Sequence, residues 1–193
     1  MSTAVLVKRI AEASPRLRAR IAGVFYLLTI LIGVVVLNVH GRLRVSADLI
    51  ATACYIAVRV LFYGLLKPVN RSLSLLAASF NLVGLGIGKL NLHPQGVDIA
   101  MVFHGFYCLL TAYLILRSTF LPRILGAVMV IAGLGWLTFL SQPLAEYLSP
   151  WNMAPGGIGE GLLCLWLLVM GVNEQRWKDQ SVSRAPAQDF SLG

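Results

Sequence analysis

The chain has 193 residues, 58% of them hydrophobic and 12% charged, with a mean hydropathy of +0.77. That charged fraction is about half of what a water-soluble domain carries, so the composition excludes an ordinary soluble enzyme and points to a chain embedded in lipid. The net charge of +8 is then read as basic loops on one face of a membrane, not as a nucleic-acid surface.

Residues 1–20 are basic (Lys8, Arg9, Arg16, Arg18, Arg20) and interrupted by Pro15, which predicts a cytoplasmic arm. Apolar runs follow at 21–39, 47–66, 72–92, 98–117, 122–146 and 157–174. Each is close to the roughly 20 residues that a helix needs to cross hydrocarbon. The fold class expected is all-α: a polytopic bundle of six transmembrane helices over 21–177, with a polar, disordered cytoplasmic tail over 178–193. The first run is too long for a cleaved signal and lacks a small-x-small site near Asn38, so it is expected to remain as an anchor. Pro68 and Pro122 suit helix boundaries, and Pro143 is expected to kink or end the fifth span. In the turn Asn91–Gly96, Pro94 and Gly96 break one helix, and Asp98 suits the N-cap of the next.

Six spans put both termini on one side. With the N-terminus inside, the inner segments hold Lys8, Arg9, Arg16, Arg18, Arg20, Lys67, Arg71, Arg117, Arg123, Arg176, Lys178 and Arg184, whereas the outer ones hold Arg42, Arg44 and Lys89. This imbalance orients the chain by the positive-inside rule, and Trp151 and Trp177 fall where the outer and inner interfaces should lie. Lys89 reads as a side chain snorkelling to the outer surface.

Several segments act as motifs together: Ala19–Ile30, Leu65–Leu73, Tyr113–Ser118, Phe120–Gly126, Ala132–Gly135, Gly159–Glu160 and Leu165–Asn173. In this order, over about residues 19–178, they resemble the bacterial membrane proteins catalogued as domain of unknown function 4386. The resemblance implies a multi-pass protein of the bacterial inner membrane and carries no agreed biochemical activity with it.

Ionisable and polar residues inside spans are costly in lipid and often mark a site. Asp48, Thr52, Tyr55 and Arg59 share one face of the second span, and Tyr26, Thr29, Gly33, Leu37 and His40 one face of the first. Asn81, Gly84, Gly88 and Asn91 line the third, with a GxxxG spacing that suits close packing. His104, Cys108 and Thr111 lie on the fourth, Thr138, Gln142 and Glu146 on the fifth, and Glu160 and Cys164 on the sixth. Turned inward, these stripes form an outward-facing polar pocket whose candidate ligand-binding residues are Tyr55, Asn81, Arg59, His104, Gln142 and Glu160. Arg59 would hold an anionic group there, or pair with an acidic side chain when the pocket is empty, and His104 or Glu160 would carry a proton.

The expected partners are the bilayer and a small lipophilic or anionic ligand, with transport as one use of the pocket. Two other classes stay open: a membrane enzyme or redox protein using the pocket's His and Glu, and a non-catalytic accessory or scaffold subunit. The sequence lacks HExxH, HxxxH and ExxH pairs, and its three cysteines lie in apolar runs without paired spacing. No metal ligand set, catalytic residue or cofactor is therefore assigned, and haem held by His104 with His40 or His93 has only the histidines in its favour.

Overall fold

The computed structural model describes residues 14–90 and 97–189. It is helical throughout, with no strand among the described residues: α1 (Pro15–Asn38), α2 (Gly41–Leu66), α3 (Arg71–Lys89), α4 (Ile99–Arg117), α5 (Arg123–Leu137), α6 (Gln142–Leu148), α7 (Ala154–Val169) and α8 (Glu174–Asp189). Among the described residues, six helical stretches are long and apolar enough to cross a membrane, ending with Arg123–Leu140 and Trp151–Val169.

Side chains start several of these helices by occupying backbone N–H groups that the first turn leaves free. Ser14 accepts from Leu17 N at 3.3 Å, ahead of Pro15 in the first turn of α1. Asn70 accepts from Leu73 N at 3.0 Å and Asp98 from Met101 N at 3.3 Å, which makes Asp98 the expected cap of α4. His40 stands at the N-cap of α2 without a side-chain cap bond, and His93 lies outside the described residues.

The spanning helices form a closed ring in the order α1, α2, α3, α4, α5, α7 and back to α1, and the α2–α3 seam is the least closely packed. Small residues let the other walls approach. A methyl added to Gly84 would lie 2.8 Å from Phe103 Cβ, and one on Gly88 would lie 3.3 Å from Ala100 Cβ, so the GxxxG of α3 seats that helix on α4. Gly105 and Gly133 face each other across α4 and α5, where an added methyl on either would come within 3.1 Å of the other's carbonyl oxygen.

The apolar core follows the ring's axis, with Val58, Phe62, Leu65, Cys108, Ala112, Ile115, Met129, Leu163 and Leu167 buried. Outward-pointing Leu31, Val34, Leu49, Val60, Ile131, Leu134, Leu165 and Val169 are more than half exposed, as a surface that meets lipid requires.

Three expectations change at the ends. The fifth span stops at Leu137 with a 3₁₀ turn (Thr138–Leu140), and Pro143 sits in the first turn of the separate α6 instead of bending a longer helix. Proline is favoured there because its missing N–H would have had no partner anyway. The polar tail is helical through Asp189. Its α8 packs across the basic end of the ring: Trp177 Nε1 donates to Leu65 O at 2.8 Å, and Gln180 Oε1 accepts from Thr119 N at 3.0 Å. Finally, α1 begins at Pro15, inside the segment expected to be an arm; the rest of that arm, 1–13, lies outside the described residues.

Candidate functional site

A cavity of about 430 Å³ lies among α1, α2, α3 and α4, with Trp136 of α5 and Glu160 of α7 at its floor. Ile30, Leu85, Ala100 and Met101 supply apolar walls, and Lys89 marks the end of the cavity away from the basic face. Lys89 does not simply reach for solvent: its ammonium pairs with Asp48, two turns into α2, with Nζ···Oδ1 at 2.6 Å. The pair is over 40% exposed on both sides and bridges the loose α2–α3 seam.

At the floor, Glu160 gathers three donors from three helices. His104 Nε2 lies 2.9 Å from Oε1, Trp136 Nε1 donates to the same oxygen at 3.0 Å, and the Tyr26 hydroxyl donates to Oε2. The other imidazole nitrogen, His104 Nδ1, lies 3.1 Å from the Tyr55 hydroxyl and 3.0 Å from Asn81 Nδ2. A continuous chain therefore runs Tyr26, Glu160, His104, Tyr55, and the His104 and Glu160 side chains are 14% and 13% exposed. Interhelical hydrogen bonds in membranes average about 0.6 kcal/mol, so the network sets helix register more than it holds the bundle together. Its position decides its chemistry: a carboxylate, an imidazole and two phenols face a cavity in a medium where stray protons and charges are costly.

Arg59 lies beneath this layer, 1% exposed. Its guanidinium carbon stands 4.1 Å from the Tyr107 ring centre, 4.2 Å from Tyr55 and 5.6 Å from Tyr26, and Nη1 donates to the Tyr107 hydroxyl. Three ring faces around a cation offset part of its desolvation. Nε and Nη2 have no hydrogen-bond partner among the described residues.

Of the sequence candidates, Tyr55, Asn81, His104 and Glu160 meet at the cavity. Arg59, expected to grip an anion in the pocket, is not among the residues that line this cavity; its guanidinium lies against the ring of Tyr55, which does line it. Gln142 is elsewhere, because the fifth span ends before it: Gln142 begins α6 and donates to Glu146 at 2.9 Å, in an exposed pair. Residue-type reasoning missed Trp136, whose indole reads as core in any apolar run, and Tyr26, which was visible only as part of a stripe. Gly156 supports Trp136, since a methyl added there would overlap the indole.

His104, Cys108 and Glu160 also form a group whose potential ligand atoms all lie within 4.8 Å of one another. His104 and Cys108 are one turn apart on α4, and Glu160 reaches across from α7.

No solved structure matches this chain. An uncharacterized protein of the archaeon Archaeoglobus fulgidus is 28% identical over 127 residues, covering 60% of this chain and 76% of the relative. The resemblance read from the motifs also has a counterpart in a family match, which runs from near the end of α3 to just past α7 and takes in the site residues of α4, α5 and α7. Residues 88–171 match the family described as Domain of unknown function (DUF4386).

Proposed function

We propose that this multi-pass membrane protein binds a small amphipathic molecule between α1, α2, α3 and α4. The polar group rests on Tyr55, Asn81, His104 and Glu160, and the apolar part lies along Ile30, Leu85 and Met101. An acidic group on the ligand would meet Lys89 at the mouth. The observation that carries this reading is a hydrogen-bonded polar cluster at the base of a largely apolar cavity, the usual composition of a small-molecule site. Both termini on the inner side of the membrane is the orientation that the twelve-to-three distribution of basic residues supports, and a bacterial cytoplasmic membrane is the setting that the family resemblance implies. With that orientation the cavity opens outward, and transport of its ligand is one use of the site.

A second reading shares the pocket. The chain from Glu160 through His104 to Tyr55 suits general acid–base chemistry on whatever is bound, the carboxylate orienting the imidazole toward a hydroxyl in the cavity. Turnover of the bound molecule would distinguish an enzyme from a carrier.

The test is to purify the protein in mild detergent, extract it, and identify bound molecules by mass spectrometry. One amphipathic species should accompany the wild-type chain, and its occupancy should fall at least tenfold in Leu85→Trp, which fills the cavity, and in Glu160→Gln. Equal content in wild type and both variants, or no bound species beyond bulk lipid, would overturn the reading in favour of a structural subunit.

A further inference from the structure

We infer that His104, Cys108 and Glu160 form a binding site for one divalent transition-metal ion, with zinc as the best match. Three observations converge on it. The ligand atoms already lie within 4.8 Å of one another. A tetrahedral zinc ion with bonds of about 2.0 Å to nitrogen and oxygen and 2.3 Å to sulfur spaces its ligands about 3.3–3.5 Å apart. The His104 Nε2 to Glu160 Oε1 distance of 2.9 Å need only open slightly, and Cys108 Sγ need close by at most about 1.3 Å. His104 and Cys108 also have the i, i+4 spacing that puts two ligands on one face of a helix, as in helical zinc motifs.

The second observation is the outer shell. Metal-bound histidines have the other ring nitrogen held by a hydrogen bond, and ligating carboxylates are themselves hydrogen-bonded. His104 Nδ1 is flanked by the Tyr55 hydroxyl and the Asn81 amide, while Tyr26 and Trp136 donate to Glu160.

The third is Asn81, which is 1% exposed and whose Oδ1 has no partner among the described residues. With the metal on Nε2, the imidazole proton resides on Nδ1, and a half-turn of the Asn81 amide brings Oδ1 to accept it. The protons balance: the proton leaves Nε2 for Nδ1, and binding releases only the Cys108 thiol proton, to water in the cavity. One thiolate and one carboxylate match the ion's two charges. Thiolate with imidazole favours zinc over magnesium or calcium. Arg59 is engaged by Tyr107 and is not among the hydrogen-bond partners of Glu160. Three protein ligands leave a fourth position for water or for a polar atom of a cavity ligand.

This site is read by metal content and not by ligand content, so it can fail while the pocket reading stands, and the reverse. The experiment uses the full chain, purified in detergent without a polyhistidine tag and titrated with cobalt(II) as a spectroscopic stand-in for zinc. About one cobalt per chain is expected, with a near-ultraviolet thiolate-to-cobalt band and the visible bands of tetrahedral cobalt, and added zinc should bleach both. The doubly substituted Cys54→Ser, Cys164→Ser chain, which keeps Cys108 alone, should retain the full spectrum. Cys108→Ser should lose the near-ultraviolet band, and His104→Gln should weaken cobalt binding at least tenfold. Substoichiometric binding, a spectrum without a thiolate band, or a band absent from the chain holding Cys108 alone would each overturn the assignment.

Discussion

Glu160 is the residue on which the polar layer converges. Its neighbours in α7 are glycines and aliphatics, yet donors from α1, α4 and α5 reach its two oxygens. Replacing it with glutamine puts an amide NH₂ where a second acceptor stood, so at least one of the three donors faces another donor. Glu160→Gln should therefore lower stability by about 1–3 kcal/mol, the cost of a buried polar group left without a partner, read as a lower melting temperature in detergent. Trp136→Phe removes one donor and leaves the carboxylate charged; the loss should be smaller, about 0.5–1.5 kcal/mol. Gly156→Ala should act through Trp136, by displacing the indole from Glu160, and tryptophan fluorescence would register the change. Histidine 104 was legible from the sequence as an unexplained ionisable group inside a span. Which of the pocket residues it bonds was not, because Tyr55, Asn81 and Glu160 come from three other helices and no spacing along α4 encodes them.

Among the elements, the α4–α5 pair is the closest-packed hairpin and the α2–α3 seam the loosest. Gly133→Leu would force a side chain against Leu109 and the Gly105 carbonyl, where an added methyl already lies 2.8 Å from Leu109 and 3.1 Å from the oxygen. Overpacking of this kind costs about 1–3 kcal/mol, and faster unfolding in denaturing detergent would report it. The Lys89–Asp48 pair should behave differently. It is exposed at both ends, so a double-mutant cycle should give a coupling of no more than about 1 kcal/mol that shrinks with added salt. A larger, salt-insensitive coupling would mean that the seam is drier than its exposure indicates. The polar stripe of α2 was readable because four residues at helical spacing leave one face in common. Where α5 ended was not. An apolar run continuing through Phe139 and Leu140 gives no local signal for the 3₁₀ turn, which is seated by Thr138 donating to Gly135 O at 2.7 Å and accepting from Asn152 at 3.1 Å.

At the scale of the whole molecule, the ring has two unlike ends. One gathers Arg16, Arg18, Arg20, Lys67, Arg71, Arg117 and Arg123 and is crossed by α8; the other carries the cavity mouth. Single cysteines at Ser46 and Ser149 should react with an impermeant thiol reagent added outside intact cells, and one at Gln180 should react only after lysis. The reverse pattern would invert the membrane orientation. Composition and apolar run length by themselves determined that this chain is a six-span helical membrane protein, because hydrocarbon requires every backbone hydrogen bond to close within a segment about 20 residues long. Periodicity determined which face of each helix carries its polar groups. Which stripes meet was decided only by the closed ring, through close approaches such as Gly84 on Phe103 and Gly105 on Gly133. That packing sends Gln142 out of the site, lays Arg59 against the ring of Tyr55, and brings Glu160 of α7 against His104 of α4. The physical reason is that spacing along one helix fixes directions around its axis, whereas the neighbour in each direction depends on how all six helices pack at once.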